Sequence, residues 1–291
     1  MKILVTIPYG IRKISKKAFM EYTNIKSITI PNSVKEICEY AFYECVNLES
    51  VTIPNRLTKI GKYAFYGCTK LKSAMIPDSV TEIGYAAFDG CQNLKHITIP
   101  SGVKEINEST FEYCINLESV AIPNGVTKID DSAFCYCINL KSVTFPDSVK
   151  EIGERAFEEC ASLASITIPN GVAKIGDYAF LGCESLTSVT MPNSITEISE
   201  YSFYRCKNLE SVTVFNGVTK IGKEAFRLCN KRLVIKTDNP YVIGYCDENK
   251  IKHISLTEKL SKNKIGTTWR ENATMNHERR KMYEKQHGKI R

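Results

Sequence analysis

A proline returns every 23 residues, at Pro8, Pro31, Pro54, Pro77, Pro100, Pro123, Pro146, Pro169 and Pro192. Phenylalanine keeps the same interval from Phe19 through Phe42, Phe65, Phe88, Phe111, Phe134, Phe157, Phe180 and Phe203 to Phe226. So short a period constrains the fold more than any other feature of the chain. One 23-residue unit cannot bury its own apolar face, but stacked copies can bury theirs against one another. Leu48 to Ile53 is β-branched and alternating, with Val51 and Ile53 on one side and Ser50 and Thr52 on the other, which predicts a strand. Pro54 ends it, having no N–H for a ladder. Leu57 and Ile60 mark a second extended or turning stretch, and Gly61 reads as a turn residue. Ala64, Phe65 and Cys68 have the spacing of one helical turn. Ten such coils, about 4.8 Å apart in a parallel sheet, make a rod or shallow arc about 50 Å long.

The unit L-x-x-V-T-I-P-x-x-V-x-x-I-x-x-x-A-F-x-x-C resembles the BspA-like leucine-rich repeat, over about residues 3 to 256. The resemblance implies a repeat solenoid of the leucine-rich-repeat type. Its parallel β-sheet carries short helical turns on the convex side, followed by a C-terminal cap and a basic tail. Residues 1–234 are then about ten stacked repeats, 235–256 the capping segment and 257–291 the tail. The segment "TDNPYVIGYCDENKIKHISL" resembles the closing helix and strand of that family. Known members are non-enzymatic, and several are adhesins or secreted surface proteins of bacteria and protists that bind host or matrix proteins.

Nine of the 12 cysteines hold one repeat position, from Cys45 to Cys229. A cysteine once per coil on the inward side reads as a small buried hydrophobe with a free thiol. Cys135 follows Phe134 and is expected to face outward. No Cys or His spacing matches a metal site, so neither metal nor cofactor is expected. The four histidines, His96, His253, His277 and His287, are scattered. No phosphate loop or nucleophile elbow is present, and the enzyme class is not favoured.

Charge is patterned as regularly as the core. Lys13, Glu36, Lys59, Glu82, Glu105, Lys128, Glu151, Lys174, Glu197 and Lys220 alternate in sign except where Glu82 meets Glu105. Lys26, Glu49, Lys72, Lys95, Glu118 and Lys141 break at the same place. Stacking brings such groups side by side, like cross-strand pairs. The exposed strand face reads as a Ser/Thr column interrupted by His96 and Met75.

Two clusters of tyrosine are candidate protein-binding residues: Tyr40, Tyr43, Tyr63 and Tyr66 near one end, and Tyr178, Tyr201 and Tyr204 near the other. Tyrosine offers contact area at little entropic cost, although rings that simply pack over the turns give the same pattern. Residues 257–291 carry ten Lys or Arg against four Glu, a net of +6 out of the chain's +7. Trp269, Arg270, Arg279, Arg280 and Lys281 are the candidate contacts of that tail, with nucleic acid or an acidic partner.

A protein–protein interaction module is therefore the leading expectation, adhesin-like and on the cell surface or secreted by resemblance. A cytosolic scaffold is the alternative, since no signal peptide is evident. A solenoid tethered to nucleic acid or an anionic surface through its tail comes third. No apolar run reaches the length of a transmembrane helix. The first strand opens at Ile3 without a matching cap, which leaves end-to-end self-association open.

Overall fold

The computed structural model describes residues 3–257. Strands from every coil join into one 12-stranded parallel sheet that runs from Ile3–Thr6 to Lys252–Ile254. Register is one repeat per step: Ser27 pairs Ser50, and Ser50 pairs Ser73. Val51 and its equivalents point inward, while Ser50 and Thr52 are exposed. The second stretch of each coil is also a strand, only two residues long, such as Lys59–Ile60. These short strands form two further parallel sheets, of four and six strands. The core between the sheets is continuous. Ten phenylalanine rings stack through it with centroids 5.1–5.7 Å apart and planes within 16°.

The third side of each coil corrects the predicted helical turn. Among the described residues the α-helix is Pro240–Asn249 alone. The segment around Phe65 instead alternates handedness, with Tyr63 at φ 55° and Gly67 at φ 66°. Alternate amides therefore leave the coil. Tyr63, Phe65 and Gly67 N–H donate to Tyr85, Ala87 and Asp89 carbonyls of the next coil at 2.8–2.9 Å, while Ala64 and Tyr66 close local turns to Gly61 and Tyr63. A helix would satisfy its amides internally and leave neighbouring coils unbonded here.

Gly61 is also corrected. It is required by close approach, since a Cβ there would sit 2.7 Å from Glu39 N of the preceding coil. Gly84, Gly153, Gly176 and Gly222 are equally tight against backbone. Cys135 is buried rather than outward, 3% exposed. Its Sγ lies 4.0 Å from Oε2 of Glu158, the buried residue at the same position of the next coil.

All 12 cysteines are free thiols. Each column thiol donates to the carbonyl of a phenylalanine 26 residues earlier, as Cys68 Sγ does to Phe42 O at 3.2 Å. Burial pushes the thiols of Cys68, Cys91, Cys137, Cys160 and Cys183 well above their ordinary range. These groups are small apolar filling, unreactive as nucleophiles.

One seam interrupts the stack. The short-strand sheets part between Glu82–Ile83 and Glu105–Ile106. At most other steps the next backbone amide bridges neighbouring coils, as Gly84 N does to Ile60 O at 2.9 Å and Asp130 N to Ile106 O at 2.9 Å. At the seam the side chain of Asn107 takes over, its Nδ2 donating to Ile83 O at 2.6 Å. Phe88 and Phe111, on either side, are the widest-spaced pair of the ring stack at 5.7 Å. The like-charged Glu82 and Glu105 fall in the same place.

The last coil is closed by the helix. Asn239 caps it, accepting from Tyr241 N at 2.9 Å, while its buried Nδ2 donates to Val218 O at 2.7 Å. Val242 and Cys246 are buried, and Tyr245 meets Phe226 edge-on at 6.4 Å. The helix thus covers the place where another phenylalanine would stack.

Candidate interaction surface

The tyrosines lie on the turn side, in register with the backbone ladder there. Tyr40 stacks on Tyr63 at 4.9 Å, and Tyr43 on Tyr66 at 4.8 Å with planes 6° apart. Tyr40–Tyr43 and Tyr63–Tyr66 meet at 5.6 and 5.8 Å, so the four rings form one block. Sequence reasoning missed Tyr85, which packs edge-on against Tyr63 at 4.9 Å. It sits one residue before the column position, so the 23-residue register alone does not pick it out. Lys16 and Lys17 lie over the Tyr40 ring at 5.8 and 5.9 Å.

The second cluster is smaller. Tyr178 and Tyr201 stack at 5.0 Å, Tyr204 joins edge-on at 5.5 Å, and the Arg155 guanidinium covers Tyr178 at 4.9 Å. A third pair, Tyr113 on Tyr136 at 4.8 Å, was also missed, and Tyr113 is 43% exposed. All seven predicted tyrosines are half-buried. Six of the seven give a ring face to a stacked partner, in the pairs Tyr40–Tyr63, Tyr43–Tyr66 and Tyr178–Tyr201.

The hydroxyls of Tyr43, Tyr63 and Tyr66 are held in the neutral form. A hydrogen bond with Tyr85, then burial, pushes Tyr63 up to about 12, and burial raises Tyr43 and Tyr66. Beside the block, burial with Glu112 nearby pushes the Asp89 carboxyl up to about 7. The block is thus an aromatic surface with hydroxyl donors and a carboxyl that titrates near neutrality.

The exposed face of the 12-stranded sheet is flatter in chemistry. Ser50, Ser73, Ser119, Ser142 and Ser165 line it, with His96 in the same row. Its charge flank is ordered in ion pairs: Glu49 lies 3.5 Å from Lys26 and 3.1 Å from Lys72. Glu118 lies 3.9 Å from Lys95 and 3.3 Å from Lys141. These lysines hold both glutamates below the usual carboxylate range.

Two open concavities, of about 350 and 430 Å³, lie over the charge ladder at Cys38 and beside the capping helix at Cys229. The first brings the Cys38 thiol beside Glu36, and burial together with that carboxylate raises the thiol above its ordinary range, which opposes formation of the thiolate. Among the described residues no three His, Cys, Asp or Glu side chains converge as a metal site. No helix there is long and apolar enough to cross a membrane. Trp269, Arg270, Arg279, Arg280 and Lys281 lie outside the described residues.

A solenoid of stacked parallel coils, with one strand per coil in a continuous sheet and a buried leucine two residues before most of those strands, defines a leucine-rich repeat protein. The chain belongs to the BspA-type leucine-rich repeat family, whose region model matches residues 3–118 and 104–232 with six copies. Among solved structures it is similar to a leucine-rich repeat protein from Bacteroides ovatus. That similarity is 28% in identity, with a TM-score of 0.62 over 80% of this chain and 74% of that one. A leucine-rich repeat protein from Eubacterium ventriosum is 24% identical, with a TM-score of 0.57 over 78% and 65% of the two chains. The second likeness is one of fold. No curated protein matches the chain.

Proposed function

We propose that this chain is a non-enzymatic protein–protein interaction module of the adhesin-like kind, displayed on or released from a cell. It binds through the tyrosine block of Tyr40, Tyr43, Tyr63, Tyr66 and Tyr85. One observation carries the reading: five tyrosines gathered on one stretch of the turn side, each ring ordered by its neighbour. Side chains already held in place lose little entropy on binding, and tyrosine is among the residues that dominate interface energetics. A module of this kind needs a rigid frame and a patch, and the stack supplies the frame.

The test is binding of the full chain to a panel of immobilised matrix and cell-surface proteins, by surface plasmon resonance. Wild type is expected to bind at least one member. Tyr43→Ser with Tyr66→Ser is expected to weaken that binding at least tenfold, about 1.4 kcal/mol, with the circular dichroism unchanged. Binding that survives both substitutions sinks the assignment of the patch.

A cytosolic scaffold is the second reading, favoured by twelve unpaired thiols. Labelling intact source cells with an impermeant biotin reagent separates the two. Labelling with a silent cytosolic control supports the surface reading, whereas labelling only after lysis supports the scaffold.

A further inference from the structure

We infer that the exposed strand face around Met75 and His96 is a second docking surface, for an extended acidic segment of a partner protein. The inference shares the interaction-module reading but uses none of the tyrosines. It starts from two anomalies that meet in adjacent coils. The first is chemical. On a face of serines and threonines, Met75 stands 83% exposed, next in line with Thr52 and Thr98. His96 pairs with Ser73 on one side and Ser119 on the other. The strands Ser73–Ala74 and His96–Ile97 are two residues long, where Ser50–Thr52 and Ser119–Ala121 on either side have three.

The second anomaly is electrostatic. On the flank of this face two glutamates each sit between two lysines, Glu49 between Lys26 and Lys72, and Glu118 between Lys95 and Lys141. Between Lys72 and Lys95 there is no carboxylate. The two lysines are neighbours in the stack, their side chains 68% and 61% exposed, and each has its ion pair only on the far side. Like charges directly opposite one another are destabilising. The compensating acidic step, Glu82 beside Glu105, lies where the two short-strand sheets part, away from this face.

A partner carboxylate seated between Lys72 and Lys95 would make the same two-sided contact that Glu49 makes with its lysines. An apolar residue further along the same segment would cover Met75. Charge complementarity therefore selects an acidic segment over a basic one, and the methionine selects one with an apolar side chain.

Fluorescence anisotropy on the full chain tests this, with three fluorescein-labelled 12-residue probe peptides: alternating Glu and Leu, alternating Glu and Ser, and alternating Lys and Leu. The Glu/Leu peptide is expected to bind, more weakly as salt rises. Lys72→Glu with Lys95→Glu should lower its affinity at least tenfold, about 1.4 kcal/mol. Met75→Thr should cost about fivefold with Glu/Leu and nothing with Glu/Ser. Tyr43→Ser with Tyr66→Ser should leave the binding unchanged, so failure of the tyrosine patch and failure of this surface are separable. The altered lysines and methionine are exposed, and circular dichroism checks that the fold is kept. No binding of Glu/Leu up to about 1 mM overturns the inference. So does equal binding of Lys/Leu, displacement by single-stranded DNA as effective as by unlabelled Glu/Leu, or binding that survives the charge reversal because it lies on the basic residues 257–291.

Discussion

Gly84 and Gly244 are the same residue under opposite constraints. A Cβ on Gly84 would lie 2.6 Å from Lys62 N and 2.8 Å from Gly61 C, both backbone of the neighbouring coil. On Gly244, inside the capping helix, a Cβ meets nothing within 4 Å. Gly84→Ala is expected to lower unfolding free energy by about 1–3 kcal/mol, the range for overpacking. Gly244→Ala should raise it by about 0.5–1 kcal/mol through helix propensity. Urea unfolding monitored by circular dichroism reads both. The turn prediction for Gly61 fails for the same reason: sequence marks a glycine but does not say which backbone presses on it.

Asp89 makes a residue-scale prediction about pH. Its folded pKa, about 7, lies above the ordinary value of 3.8. Between those values the folded state holds the proton more tightly than the unfolded state, so stability falls as pH rises. The contribution is fully favourable below about pH 4 and is lost by the time pH passes 7. The Tm difference between pH 5 and pH 8 should therefore shrink in Asp89→Asn. An unchanged difference would mean that the carboxyl ionises normally.

At the scale of elements, the seam at Asn107 is the clearest departure from the repeat. Its side chain does what a backbone amide does at most other steps. Asn107→Gly is expected to let the short strands pair through, with the residue 107 amide exchanging hydrogen as slowly as that of Gly84. If exchange at residue 107 stays fast, the like-charged Glu82 and Glu105 rather than Asn107 hold the strands apart. The strand at Ser50–Thr52 was legible, because alternation and a terminating proline are local signals. The turn side was not. An i, i+3, i+4 pattern is shared by a helix and by a chain that alternates handedness, and only the bonds to the next coil tell them apart. Tyrosine columns were legible where they keep the register, and Tyr85 was missed because it steps off it.

The whole molecule is one core without a midline. Each coil packs on its neighbours, with Arg205 alone reaching two coils back to pair with Glu159 among the described side-chain bonds, so interfaces between coils hold it together. The phenylalanine stack and the long parallel sheet were implied by the period itself. What a single period does not reveal is where it is spoiled. The sign break between Glu82 and Glu105 was readable in the sequence, but its coincidence with a split sheet, a wider ring spacing and an exposed methionine needed the structure.

The sign alternation also acts as a parity check on length. Removing any one 23-residue unit from an alternating run brings like charges together, so most single-unit deletions leave a new flaw in the ladder. At the seam the rule inverts. Excising residues 84–106 sets Glu82 beside Lys128 and Lys72 beside Glu118, and both ladders then alternate without a break. Excising residues 153–175 instead sets Glu151 beside Glu197. The first shortened chain is expected to unfold in a single sharp urea transition, and the second at a lower midpoint. If the two midpoints coincide, the ladder does not govern which lengths are permitted. If they differ as expected, the seam is the place where this chain can lose a coil, or has gained one, at least cost to its fold.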